Sequence, residues 1–235
     1  MNTPSASPAE RPKSILVWDA PVRVFHWLMV LSFAGAWLSA ESERWRLLHV
    51  TLGYTLAALV IFRVVWGLVG TRHARFADFV RGPAAVARYL RSLVQGRPEH
   101  HVGHNPAGAL AIIGLLALAA LVTATGWSTF NEIALPWPAK WMEELHEGAA
   151  SAMLGLVGLH VLAVIVSSRL HRENLVRSMI TGRKAGPANE GIRSAWRSLA
   201  ALMLVAVLGF WWLQWQDAPA ASADGAVAVQ HESHH

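Results

Sequence analysis

Apolar residues in this chain gather into five long runs separated by polar, charged segments. The runs are about Val24–Ala40, Leu47–Gly70, Gly108–Trp127, His146–Ser167 and Leu199–Trp215. A helix needs about 20 apolar residues to cross the hydrocarbon core of a bilayer, and each run is close to that length. In lipid the backbone must satisfy its own hydrogen bonds, which favours helices. The pattern therefore predicts an all-α membrane protein: a four-helix transmembrane bundle with a fifth, C-terminal transmembrane helix. The fifth run contains no ionisable residue and follows a polar stretch, so it reads as an addition to a four-helix core.

The connections complete the plan. Residues 1–22 form an N-terminal segment, 23–185 the four-helix unit, 186–215 a linker with the fifth helix, and 216–235 an Ala-rich tail expected to be disordered. The opening MNTPSASPAERPKS has no apolar stretch ending in a small-residue cleavage site, so the first run is expected to stay as a helix. Between the second and third runs, FADFVRGPAAVARYLRSLVQG predicts one short interfacial helix with Phe79, Val86, Tyr89, Leu90 and Leu93 as its apolar stripe.

Charge orients this plan. The N-terminal segment, the link after run 2 and the link after run 4 together hold sixteen Lys and Arg, against three (Arg44, Arg46 and Lys140) in the opposite connections. Positive residues favour the cytoplasmic side. The N-terminus is thus expected in the cytoplasm and the C-terminus outside, in the periplasm of a bacterial inner membrane. Trp37, Trp45, Trp127, Trp137, Trp141, Trp211, Trp212 and Trp215 then fall near the outer interface as an aromatic belt. The net charge of +5 is explained by these flanks and does not point to nucleic acid.

Cysteine is absent, which excludes thiolate metal sites, iron–sulfur ligation and covalent haem attachment. Twelve histidines remain. His73, His100, His101 and His171 lie in basic links, His231, His234 and His235 in the tail, and His104 just before run 3. His26, His49, His146 and His160 lie within or at the ends of apolar runs. Imidazole at membrane depth is costly unless paired or coordinated. One such histidine is readily explained as a helix–helix contact; four at matching depths are not.

The depths match as follows. Run 1 starts inside, so His26 lies near the inner face, and run 2 starts outside, so His49 lies near the outer face. His146 is at the outer end of run 4. His160 follows it by 14 residues, about 21 Å deeper and close to four full turns, hence on the same face. The result is two pairs, His49 with His146 outside and His26 with His160 inside. Two imidazoles from different helices can ligate one haem iron from opposite sides, so two non-covalent haem b groups stacked across the membrane are expected. A di-iron site would want carboxylates on the helices, and zinc would want three or four ligands at one level.

Arg63 follows His49 by the same 14 residues and is the one charged residue well inside a run. It is expected to meet a haem propionate, since arginine pairs well with carboxylates. Arg23, one turn before His26, is a second candidate. His104 and Asn105 could hydrogen-bond a quinone carbonyl or a propionate, or cap the third helix. Gly53, Gly67, Gly148, Gly155 and Gly158 lie in stretches where a porphyrin or a neighbouring helix could approach.

The segments VWDAPVRVFHW, LHVTLGYTLAALVIFRVVWGLVG, YLRSLVQGRPEHHVGHNPAGA and LHEGAASAMLGLVGLHVLAVIVSSRLHREN occur in that order. On these residues the chain resembles the prokaryotic cytochrome b561 family, which includes the cytochrome b subunits of nickel–iron hydrogenases. The resemblance spans roughly residues 15–185. It implies two non-covalent b haems, ligand roles for His26, His49, His146 and His160, and exchange of electrons with the quinone pool. The expected function is transfer of electrons between quinone or quinol and a redox partner, such as a periplasmic c-type cytochrome or another redox enzyme. The alternative is a haem-containing anchor subunit of a hydrogenase or other outer-side enzyme, with no quinone site of its own. A homodimer is compatible with the sequence. A proton-relaying transporter is a third reading, and it predicts a colourless protein.

Overall fold

A computed structural model describes residues 13–216 except 97, 98, 100, 134, 135 and 137. Arg11, Arg97, His100, Trp137 and the tail with His231, His234 and His235 lie outside the described residues. The chain runs through β1 (Lys13–Leu16), α1 (Ala20–Ser39), a 3-10 turn at Glu43–Trp45, α2 (Arg46–Val69), α3 (Phe76–Phe79) and α4 (Pro83–Val94). It continues through α5 (Pro106–Phe130), α6 (Ala139–Leu170), α7 (Leu175–Thr181), β2 (Arg183–Gly186) and α8 (Arg197–Gln216). Five helices, α1, α2, α5, α6 and α8, are long and apolar enough to cross a membrane, in agreement with the five runs. The protein is an all-α multi-pass membrane protein.

Two spanning helices have clear start signals. Asp19 caps α1 by accepting the Val22 N–H, with Pro21 in the first turn. Asn105 caps α5 through the Gly108 N–H, with Pro106 following. Proline suits the first turn because its missing N–H has no helical partner there. For α6 the start differs from expectation. The helix begins at Ala139, about two turns before His146. The residues AKWMEEL are broken by three charges yet favour helix, and Lys140 pairs with Glu144 at 3.4 Å across one turn. Apolarity marks where a helix enters lipid, whereas hydrogen bonding decides where it begins. His146 therefore sits inside α6 and not at its end.

The described part of the link after α2 also departs from the predicted single interfacial helix. Val80, Arg81 and Gly82 separate α3 from α4. Phe79 and Tyr89 are buried, while Leu90 and Val94 are exposed. The expected stripe is thus divided between a side facing the bundle and a side facing outward.

α1 packs antiparallel on α2, α5 antiparallel on α6, and α2 joins the two pairs through α5. α8 lies against α1 and α2, where the Trp211 indole N–H donates to the Thr55 hydroxyl at 2.9 Å. The three basic segments meet at one end of this bundle. β1 pairs antiparallel with β2, Lys13 opposite Gly186 and Leu16 opposite Arg183, a sheet that hydropathy did not reveal. The Ile192 N–H donates to Leu16 O and the Ala20 N–H to Ala195 O, both at 2.8 Å. His73 Nε2 lies 2.8 Å from Glu190 O. Gly182 ends α7 with φ of +78°, a conformation suited to glycine, and its carbonyl accepts from both Val17 and Trp18.

Asp19 is the hub of this end. It is 1% exposed. One carboxylate oxygen caps α1; the other accepts from the Trp66 indole at 3.0 Å and the Thr71 hydroxyl at 2.6 Å. The start of α1 is thereby fixed to the end of α2. Replacing Asp19 with Ala removes a cap and strands two buried donors, a loss of about 3 kcal/mol. Asp19→Ala is expected to melt well below the unaltered protein in detergent, with Asp19→Asn between them; equal melting temperatures would contradict this role.

Candidate functional site

Two of the four membrane-depth histidines meet at the end of the bundle away from the basic layer. The His49 and His146 ring centroids are 6.2 Å apart, with planes inclined by 74°. Each ring is held from behind. His49 Nδ1 lies 2.9 Å from Ala36 O on α1, and His146 Nδ1 lies 2.9 Å from Val122 O on α5. A carbonyl can only accept, so each Nδ1 carries the proton and each Nε2 keeps its lone pair. The Thr125 hydroxyl is 3.3 Å from His146 Nδ1. Gly126 makes this approach possible, since a Cβ there would lie 2.8 Å from His146 Cε1. In the sequence Gly126 carries no signal beyond a glycine in the interior of a spanning run.

The second pair lies toward the basic end. His26 of α1 and His160 of α6 are within electrostatic reach of each other. His26 Nδ1 is buried and has no hydrogen-bond partner among the described residues. Arg63 is 2% exposed. Its guanidinium lies over the Phe76 ring at 4.8 Å and near Phe79 at 5.9 Å. Gly67, one turn on, leaves the space that the Phe76 ring fills. Arg63 Nη1 is likewise buried without a partner among the described residues. Arg23 is engaged elsewhere: it donates to Ile180 O at 2.6 Å and to Asp19 O at 3.4 Å, holding α7 to the start of α1.

His104 joins this region from the loop before α5. Its ring lies 4.5 Å from Trp18 and 4.6 Å from Phe79, and its Nδ1 has no partner among the described residues. Burial, reinforced by the nearby charges of Arg63, His73, Lys184 and His160, pushes the imidazole down to about 3. Asn105 is the cap of α5. A cavity of about 630 Å³ opens beside His104, lined also by Arg72, His73, Arg81, Arg88 and His101.

Between the two levels lies an apolar layer of Phe33, Leu56, Val60, Ala119 and Met153. Its register follows the histidines. Phe33 is seven residues after His26, Leu56 seven after His49, and Met153 seven from both His146 and His160. Seven residues is close to two turns, so these side chains share the histidine faces at half depth. Away from this layer, α6 packs chiefly along α5. At Gly53, one turn from His49, an added Cβ would meet nothing within 4 Å. Gly148, Gly155 and Gly158 lie on exposed parts of α6 and not at the histidine levels' shared face.

These residues fit a metal-centred group. Two metal–imidazole bonds of about 2 Å, with each ring centre about 1 Å behind its nitrogen, place ring centres about 6 Å apart, as at His49 and His146. The unpartnered nitrogens of His26, Arg63 and His104 suit a ligand bearing metal and carboxylates.

The family model described as prokaryotic cytochrome b561 matches residues 17–182. A probable Ni/Fe-hydrogenase B-type cytochrome subunit of Rhizobium leguminosarum bv. viciae is 24% identical over 215 residues, covering 73% of this chain and 89% of its own length. A probable Ni/Fe-hydrogenase 1 B-type cytochrome subunit of Escherichia coli K12 is 28% identical over 142 residues, covering 49% of this chain and 60% of its own. No solved structure matches the chain.

The half-buried His104 predicts a pH dependence. Its imidazole is neutral in the fold down to about pH 3 but takes up a proton near pH 6.5 once unfolded. The unfolded state then binds more protons, so stability is complete above pH 6.5 and declines as pH falls from 6.5 toward 3. Thermal melts across this range should show the decline, and His104→Leu should flatten it; an unchanged slope would contradict the burial effect.

Proposed function

This chain belongs to the prokaryotic cytochrome b561 family of membrane b-type electron-transfer cytochromes, and from that premise we propose a two-haem protein that moves electrons across the membrane. His49 and His146 hold one iron and His26 and His160 the other. The observation that carries this reading is the facing outer pair, 6.2 Å between ring centroids with both Nδ1 atoms bonded to carbonyls. Bound there, haem b supplies a one-electron Fe(III)/Fe(II) couple.

The chain's residues do the rest. Ala36 and Val122 carbonyls orient the outer imidazoles and keep their Nε2 lone pairs turned to the metal. Two protein imidazoles on each iron would leave neither oxygen nor substrate an open position there. Arg63 neutralises a propionate in a place where an unpaired charge is costly. Phe33, Leu56 and Met153 exclude water between the levels.

The basic layer lies on the cytoplasmic side of a bacterial inner membrane, by the positive-inside rule. The cavity beside His104 is the quinone or quinol site, where an imidazole and arginines can hydrogen-bond a carbonyl oxygen. The partner at the opposite end is a periplasmic c-type cytochrome or other redox enzyme. The relatives' names favour a second reading for that partner, a nickel–iron hydrogenase for which this chain is the membrane subunit.

A pyridine haemochrome assay on purified protein should give two haems per chain. Ala at any of the four histidines should remove one haem, the same one for both members of a pair. Gly126→Val, which drives a side chain into His146, should remove only the haem lost in His49→Ala. Colourless folded protein, or loss of different haems from His49→Ala and His146→Ala, would end the reading.

A further inference from the structure

The two levels are built unequally; the cation nearest the outer pair, Arg46, is exposed and paired with Glu43 at 3.8 Å. At the outer level both candidate ligands donate Nδ1–H to a backbone carbonyl at 2.9 Å. Such a bond makes the imidazole a stronger electron donor, which favours the oxidised, more positive iron. Glu147, exposed and next in sequence to His146, adds a negative charge that acts on that ring. At the inner level His26 Nδ1 has no hydrogen-bond partner among the described residues. Arg63 adds a buried positive charge in the same region. The carboxylate of Asp19 opposes it, but Asp19 accepts three hydrogen bonds and also lies near Arg23. Lys184 is already paired with Glu173 at 3.1 Å. With Arg63 offsetting a propionate, the inner level carries less negative charge than the outer one, which favours the reduced iron.

We infer that Ala36 O, Val122 O and Glu147 set the outer level to the lower reduction potential, and Arg63 sets the inner level to the higher. This rests on the ligand pairs proposed above. An electron delivered at the outer end, oxidising its donor, then passes downhill to the inner level, and no proton or covalent bond changes in that step. The asymmetry gives the protein a preferred direction, from the end opposite the basic layer toward it.

Potentiometric titration of the reduced α-band on the full chain in detergent is the test. Two waves are expected. His26→Ala should keep only the lower wave and His49→Ala only the higher. With all four proposed ligand histidines retained, Arg63→Gln should shift the higher wave down with the lower wave unmoved. Glu147→Gln, at an exposed position, should shift the lower wave up with the higher wave unmoved. Survival of the higher wave in His26→Ala, or a shift of the wrong wave by either charge variant, overturns the assignment while leaving the haem ligation standing. A preparation without two haems fails earlier, at the haem count, and removes the ligand pairs together with this inference.

Discussion

An imidazole placed in hydrocarbon must find a partner for each of its two nitrogens, and the bundle is arranged around that requirement. At His49 and His146 one nitrogen is met by a main-chain carbonyl of the neighbouring helix. Those carbonyls already belong to α1 and α5, so the rings are fixed by backbone and not by mobile side chains. The pairing of α1 with α2 and of α5 with α6 follows from the same contacts. The remaining nitrogen of each ring keeps its lone pair, and the two ring centroids lie 6.2 Å apart. Helix packing and ligand orientation are thus one arrangement.

The opposite end solves a different problem, the burial of charge. Asp19 and Arg63 are almost wholly enclosed. The carboxylate is saturated by a cap, an indole and a hydroxyl. The guanidinium is bracketed by aromatic faces and retains an unused N–H donor. A carboxylate satisfied by neutral donors and a cation left open to a ligand give this end its electrostatic character, and the apolar layer of Phe33, Leu56 and Met153 keeps it apart from the other level.

The five spans and the gathering of basic segments at one end were legible because hydropathy and charge are summed properties of long stretches. The depth of His49 and His146 was legible because helical rise is constant. The strand pair β1–β2 was not, since two four-residue segments separated by four spanning helices carry no periodic signal. The first turns of α6 were hidden by the charges of Lys140, Glu143 and Glu144, which interrupt the apolar run. Gly126 and Asp19 act through contacts with distant helices, which one-dimensional spacing does not encode. The seven-residue register of Phe33, Leu56 and Met153 was present in the sequence, but in helices built mainly of Leu, Val and Ala it had no contrast against its neighbours.

The β1–β2 pair also constrains the order of assembly. β1 precedes every spanning helix and β2 follows the first four. During synthesis the first strand must wait, unpartnered, until α1, α2, α5 and α6 have been made. The hydrogen bonds from Ile192 and Ala20 form across the same junction, immediately before α8 begins. Closing this junction is a clasp that only a chain with all four earlier helices in place can fasten, and α8 is the last piece laid over it.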